Sequence, residues 1–304
     1  EERARIAGLV INKFRGDVEI LRPGLAMLEE KTGLPVLGVV PYLHVEIEDE
    51  DSLSERLNAN RAVKPLDAAV IRLPHISNFT DFMPLEQHEL LGVRYVQRAR
   101  ELGRPDLVIL PGTKNTMEDL LWLRQNGLEA AALKLAHAGT PILGVCGGYQ
   151  MLGQTLDDPQ GTESGRPMAL SGLGLLPTRT VFDAQKRRMQ VRAAAQGELF
   201  GGARLTGYEI HNGRTEVGGA PFCMLEDGTP EGCVNRNVFG TYHDDSGELT
   251  GALVRMLCAR KGISPTQTQL MSMADYRQQQ FDLLADGVRQ ALDMGAVYRA
   301  INTA

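Results

Sequence analysis

The sequence predicts an α/β protein built mainly on parallel sheet. Three observations carry that prediction. Short apolar runs without alternation recur along the chain, as in IAGLVIN (6–12), LPVLGVVPY (34–42), LDAAVIRLP (66–74), LVIL (107–110) and ILGV (142–145), and unbroken apolar runs mark strands buried on both faces. Segments with helical spacing separate them, the arrangement that βαβ units impose. Two of the runs end in glycine turns, PGT and CGG.

The first unit opens with the strand IAGLVIN. A helix over 18–33, VEILRPGLAMLEEKTG, follows and stops at the C-cap glycine Gly33. LPVLGVVPY closes the strand–helix–strand unit. The acidic stretch 45–57, VEIEDEDSLSERL, reads as a solvated face, and NANRAVKP as a linker. A second α/β pattern runs from residue 66, with one helix over 116–137. From about 171 to 243 glycines are frequent, and RMQVRAAAQG, LTGYEIHNGRTEV and NVFGTYH read as antiparallel strands. The C-terminal segment is helical, with Phe281, Leu284, Ala285, Val288 and Leu292 on one apolar face. The boundaries that follow are 1–58 for the first unit, 59–66 for the linker, 67–258 for the main domain and 259–304 for a helical extension.

Composition excludes several function classes. A net charge of −6 and the lack of any Lys/Arg block give no basic field for nucleic acid. No apolar run is long enough to span a bilayer, and the N-terminal EERARIAGLV has no signal-peptide pattern. The four cysteines, Cys146, Cys223, Cys233 and Cys258, are scattered without a CxxC pair, so no metal site is expected and a reducing, cytoplasmic setting follows. A Cys223–Cys233 disulfide is the less favoured reading in that setting.

Chemistry is expected at Cys146, in GVCGGYQML (144–152). A cysteine between a strand and a glycine pair gains a tight turn from the glycines. The helix that follows stabilises a thiolate and offers N–H groups to an oxyanion. The competing reading is a small buried hydrophobe. Gly112 ends another strand, and the carboxyl ends of parallel strands face the same side, so its N–H is a candidate to reach Cys146; the plainer reading is a loop capped by Thr113 or Asn115. A thiol nucleophile also needs a base. Six histidines are present, His44, His75, His88, His137, His211 and His243, and periodicity does not choose among them.

The motif G-x-C-x-G-x-Q, here Gly144, Cys146, Gly148 and Gln150, resembles the nucleophile elbow of class I glutamine amidotransferases. PGTKNT, ISNFTDF (76–82), GYEIH (207–211) and FGTY (239–242) together resemble one branch of that family, the cobyric acid synthases. INKFRGD and PVLGVVPY resemble the end of that family's ATP-dependent amide-forming domain, itself similar to dethiobiotin synthetase. The resemblance implies a class I amidotransferase-like mixed sheet with flanking helices, preceded by a strand–helix–strand remnant of a P-loop-type α/β domain.

It further implies that Cys146 attacks glutamine and His243 moves the proton, with His211 in reserve. Gly112, Thr113, Gly147 and Gln150 would hold glutamine or its oxyanion. The ammonia would amidate side-chain carboxylates of adenosylcobyrinic a,c-diamide, a corrinoid, with ATP and Mg²⁺ used by the complete enzyme. Asn12 and Lys13 are the candidate nucleotide contacts. No GxxxxGK[ST] phosphate loop occurs, so this chain reads as a fragment that binds no cofactor by itself. A second departure lies at GTYHDDSGEL, shorter by about five residues than the family's pattern around its catalytic histidine. His243, expected to be exposed, is the nearest match. ISNFTDF is read either as a corrinoid or interface segment or as a loop packed through Phe79 and Phe82. The alternatives are cobyrinic acid a,c-diamide synthase, and a non-catalytic partner-binding domain that has lost its base.

Overall fold

The computed structural model describes residues 6–43, 45, 64–77, 82–197, 200, 202–243, 248–264 and 273–303. His44, most of the acidic stretch, linker residues 59–63, Asn78 to Asp81 of ISNFTDF and residues 244–247 after His243 lie outside them. The chain forms two compact units, residues 1–48 with 274–304, and residues 49–273. Among the described residues no helix is long and apolar enough to cross a membrane.

In the first unit β1 (Leu9–Phe14) and β2 (Val36–Pro41) pair in parallel, joined by α1 (Val18–Thr32). Asp17 caps α1 by accepting the Glu19 N–H, and Gly33, left-handed at φ 67°, ends it by donating to the Glu29 carbonyl. Both ends lie where the sequence predicts them.

The second unit holds a six-stranded sheet in the order β13-β14-β6-β5-β3-β4. Its strands β3 (Leu66–Ile71), β4 (Leu91–Val96), β5 (Leu107–Leu110), β6 (Ile142–Val145) and β14 (Val238–Thr241) are parallel, and β13 (Cys233–Asn235) is antiparallel at the edge. Successive residues of β3 enter opposite cores: Ala68 and Val70 pack with α7 (Glu248–Lys261), Ala69 and Ile71 with α4 (Thr116–Gln125). Burial on both faces is why the strands read as unbroken apolar runs. β4 was missed as a strand because it closes the sheet's edge: its Arg94 reaches back to Asp67 of β3 at 2.8 Å, which breaks the apolar pattern.

Three further expectations change. The helix over 116–137 is two helices, α4 and α5 (Leu128–His137), parted at Asn126 and the left-handed Gly127. NVFGTYH is antiparallel only to the edge strand β13; on its other side β14 runs parallel beside β6, with Thr241 opposite Val145. Phe281 is half exposed instead of lying on the inner face of its helix.

The remaining strands are β7 (Thr155–Asp158), β8 (Met168–Ser171), β9 (Thr178–Ala195), β10 (Arg204–Val217), β11 (Cys223–Leu225) and β12 (Pro230–Glu231). They form a second sheet in which β9 and β10 make a long antiparallel ribbon, as predicted. The two sheets share a core in which Phe200 meets Phe222 and Phe239 edge-on, with centroids 5.1 Å apart in each pair.

The last helices, α8 (Met273–Ala291) and α9 (Met294–Thr303), belong to the first unit. Asp293 donates its N–H to Leu37 at 2.7 Å, and Leu292 bridges to Gly38. A Cβ at Gly38 would stand 2.2 Å from the Ala291 carbonyl oxygen, so only glycine permits this approach. The sequence reading set these helices apart as an extension; it holds no signal for their pairing with β2.

Candidate active site

β6 is wholly buried and ends at Cys146, whose φ of 49° and ψ of −111° lie where non-glycine residues rarely sit. The next residue begins α6 (Gly147–Leu152). This is a strained strand-to-helix elbow, the geometry that presents a nucleophile at the carboxyl end of a sheet. Gly148 makes it compact: a Cβ there would stand 2.0 Å from the Leu110 carbonyl oxygen.

The turn after β5 lies against the elbow. A Cβ on Gly112 would be 3.7 Å from the Cys146 Cβ, and one on Gly147 would be 2.6 Å from Thr113 Cγ2. Cys146, Gly112, Thr113 and Gly147 are therefore brought together. Among the described residues the main-chain N–H groups of Gly112, Thr113 and Gly147 have no protein acceptor, and such donors are what an oxyanion requires. Gln150 is placed differently. It is buried, donates to the Asn212 carbonyl (3.1 Å) and to Tyr242 Oη (3.2 Å), and accepts from Thr116 Oγ1 (3.2 Å). Its amide braces α6 against β10 and Tyr242.

Register brings β14 to the same place. Cys146 donates its N–H to the Thr241 carbonyl at 2.9 Å, so Tyr242 stands beside the elbow and His243 comes one residue later. His211 stacks on Tyr242, with ring centroids 3.6 Å apart and planes 13° from parallel. Burial, with the nearby Cys146 thiol and Glu231 carboxylate adding, pushes the Tyr242 phenol far up, against hydrogen bonds from Thr215 and Gln150. It stays protonated. His243 is buried, contrary to the exposure expected from sequence; its Nε2 is 3.4 Å from Glu231 Oε2 without hydrogen-bond alignment. The alternating strand pattern turns it to the side of Thr241, whose hydroxyl also bonds Glu231 (2.8 Å).

Residues 67–243 match the CobB/CobQ-like glutamine amidotransferase domain. The chain belongs to that family. Curated relatives of the amidotransferase chain include the cobyric acid synthase of Ruminiclostridium cellulolyticum, 46% identical over 318 residues, covering 99% of this chain and 62% of the relative. That of Salmonella typhimurium is 44% identical, covering 98% of this chain and 62% of the relative. The chain thus spans 62% of the length of these relatives. Among solved structures, PurLQS from Thermotoga maritima matches with a TM-score of 0.50 at 18% identity, over 66% of this chain and all of that one, which shows the fold.

The other cysteines of the amidotransferase chain are unlike Cys146. Cys223, Cys233 and Cys258 are fully buried, and no cysteine is disulfide-bonded. Burial pushes the Cys233 thiol up to about 11 and the Cys258 thiol up as well. Cys223, Glu231 and His243 place donor atoms within 4.8 Å of one another, the one such group among the described residues. Glu231 already accepts from Tyr242 N–H (2.7 Å), Thr241 Oγ1 and Cys223 Sγ (3.1 Å), so its carboxylate is occupied by protein donors, whereas neither ring nitrogen of His243 has a hydrogen-bond partner among the described residues. In the first unit Asn12 and Lys13 are exposed at the end of β1, Asn12 Oδ1 accepting the Lys13 N–H. Two exposed side chains supply only part of what holds a nucleotide's phosphates.

Sequence reasoning missed Glu231 and Asp119. Glu231 lies in a loop-like EGC, far in spacing from any motif. Asp119, beside Glu118 in the first turn of α4, reads as an ordinary helix-dipole acid.

Proposed function

We propose that this chain is the glutamine-hydrolysing portion of a cobyric acid synthase, made of an amidotransferase domain at residues 67–258 and part of an ATP-dependent amide-forming domain. The observation that carries the reading is the left-handed Cys146 elbow packed against the Gly112 turn, with acceptor-less N–H groups around it. Identities of 42–46% to cobyric acid synthases support that branch over cobyrinic acid a,c-diamide synthase.

Glutamine binds with its carboxamide at the elbow. The Cys146 thiolate attacks the carboxamide carbon, and the carbonyl electron pair moves to oxygen. N–H groups of Gly112, Thr113 and Gly147 stabilise that oxyanion. His243 delivers a proton to the amide nitrogen and ammonia leaves as the C–N bond breaks. Water then cleaves the thioester, releasing glutamate and the thiol. In the complete enzyme the ammonia would amidate corrinoid carboxylates made reactive with ATP and Mg²⁺ in a cytoplasmic setting. The non-catalytic reading rests on one observation: the His243 ring is buried against Glu231.

Release of glutamate from glutamine, measured for the chain and for Cys146→Ser, tests the proposal. Turnover in the parent and none in the variant is expected. An inactive parent would leave the non-catalytic reading in its place.

A further inference from the structure

Asp119 is a carboxylate with no exposed surface, set between α4 and the sheet. Burying such a charge is costly unless its oxygens are satisfied. The partners of its carboxylate lie in the loop after β3 and in the loop after β5, the second of which lies against the elbow. Oδ1 accepts from His75 Nδ1 at 2.8 Å. Oδ2 accepts from the His75 main-chain N–H at 3.2 Å and from the Thr113 hydroxyl at 2.5 Å. His75 follows β3 and Thr113 follows β5, neighbouring strands of the sheet.

The same loops carry a short antiparallel ladder. Ser77 N–H donates to the Gly112 carbonyl and Lys114 N–H to the His75 carbonyl, both at 2.9 Å, with Ile76 opposite Thr113. These bonds fix one peptide plane. In a trans peptide the C=O of Gly112 and the N–H of Thr113 point in opposite directions. Holding that C=O on Ser77 therefore aims the Thr113 N–H away from the 75–77 loop. On that far side is the elbow: a Cβ on Gly147 would be 3.3 Å from the Thr113 nitrogen. The N–H has no acceptor among the described residues.

We propose that Asp119 is a positioning residue for glutamine hydrolysis: by clamping His75 and the Thr113 hydroxyl, it keeps the Thr113 N–H aimed at the oxyanion that forms on Cys146. The inference rests on the amidotransferase reading. Asp119 touches no substrate; it sets the direction of a dipole that must be in place before charge develops. Asn at this position keeps the shape but presents an NH₂ to one set of donors. The turn then loses its hold at Thr113 or at His75.

The test uses the full chain with Asp119→Asn, Thr113→Val, Thr113→Ser and the Asp119→Asn/Thr113→Val double variant. Glutamate release gives kcat and KM, and iodoacetamide gives the alkylation rate of Cys146. Iodoacetamide reacts by displacement at carbon and forms no oxyanion, so it reads the thiol without the hole. Asp119→Asn and Thr113→Val should each lower kcat by about 10²-fold, with KM within about threefold and alkylation within about twofold of the parent. Thr113→Ser, which keeps the hydroxyl, should stay within about threefold. The double variant should fall no further than either single one, because both loosen the same clamp of Asp119, His75 and Thr113, in which the Thr113 hydroxyl also lies 3.0 Å from the His75 carbonyl. An unchanged kcat in Asp119→Asn, additive losses, or alkylation falling in step with kcat would each overturn the proposal while leaving the amidotransferase reading intact. A parent chain that releases no glutamate would overturn both. If Asp119→Asn does not fold, the Thr113 pair decides: equal kcat in Val and Ser variants overturns the proposal.

Discussion

Cys146 and Thr241 are joined main chain to main chain, N–H to carbonyl at 2.9 Å. The elbow and the end of β14 are thus one hydrogen-bonded body. Whatever shifts Tyr242 or His243 pulls directly on the strained cysteine.

The first expectation concerns His243. Replacing it with alanine should lower glutamine hydrolysis by about 10²-fold, as measured by glutamate release. Because the ring is buried, the same change should also cost stability, about 1–3 kcal/mol in urea unfolding. Activity retained in full would shift the base to His211. That ring stacks on Tyr242 beside the same elbow.

Thiol chemistry should single out Cys146. With its pKa at about 11, Cys233 is thiolate to only about one part in a thousand at pH 8, and Cys258 is likewise shifted up and buried. Mass spectrometry after treatment with 6-diazo-5-oxo-norleucine should find the label on Cys146 alone. Labelling of the three buried thiols to the same extent in folded protein would contradict the assignment.

Gly148→Ala should be destabilising by about 3 kcal/mol. The added Cβ would meet main-chain oxygen at 2.0 Å, and a carbonyl in a buried strand cannot swing aside as a side chain can. Unfolding midpoints of parent and variant that coincide would contradict the close packing of α6 on β5.

Asp158 offers a pH test. Burial raises its pKa, but the N–H groups of Ser164, Glu163 and Thr162 and the Ser164 hydroxyl outweigh that, and the net shift is downward. A carboxyl lowered on folding stabilises above its unfolded pKa of about 4 and loses that contribution as pH falls through the folded value. Asp158→Asn should therefore lower stability by about 1–3 kcal/mol at pH 7. The gap between parent and variant should narrow below about pH 4. A gap that widens in acid would reverse the sign of the shift. The turn matters to the site because its Glu163 accepts the Thr116 N–H at the start of α4.

The buried strands and the elbow were legible in the sequence because each depends on local pattern: apolar runs on β3, β5 and β6, and glycines around Cys146. What depended on partners was not. The parallel pairing of β14 with β6 joins residues about a hundred apart, and a four-residue strand of Val, Phe, Gly and Thr carries no mark of direction. The break in the predicted helix at Asn126-Gly127 turned on one left-handed residue. Gln150 stood in the expected motif, yet its amide faces Asn212 and Tyr242, a fact set by the second sheet. Asp119 gave only a helix-start acid to read, since its partners His75 and Thr113 come from other segments.

The pairing of Leu292 with Gly38 makes the chain a nested one: the first unit is interrupted by the whole of the second and resumes in the last two helices. A ribosome delivers these parts in order. The inner unit can fold while its host is still half made, whereas the outer one must wait for residues about 250 positions later. Closing so long a loop costs more entropy than a local contact, but the cost grows only with the logarithm of its length. If the inner unit folds first it brings the two separated ends within reach and removes most of that cost. Shortening the chain at residue 273 would thus strip the N-terminal strands of their helical cover while leaving the cysteine elbow's own fold whole.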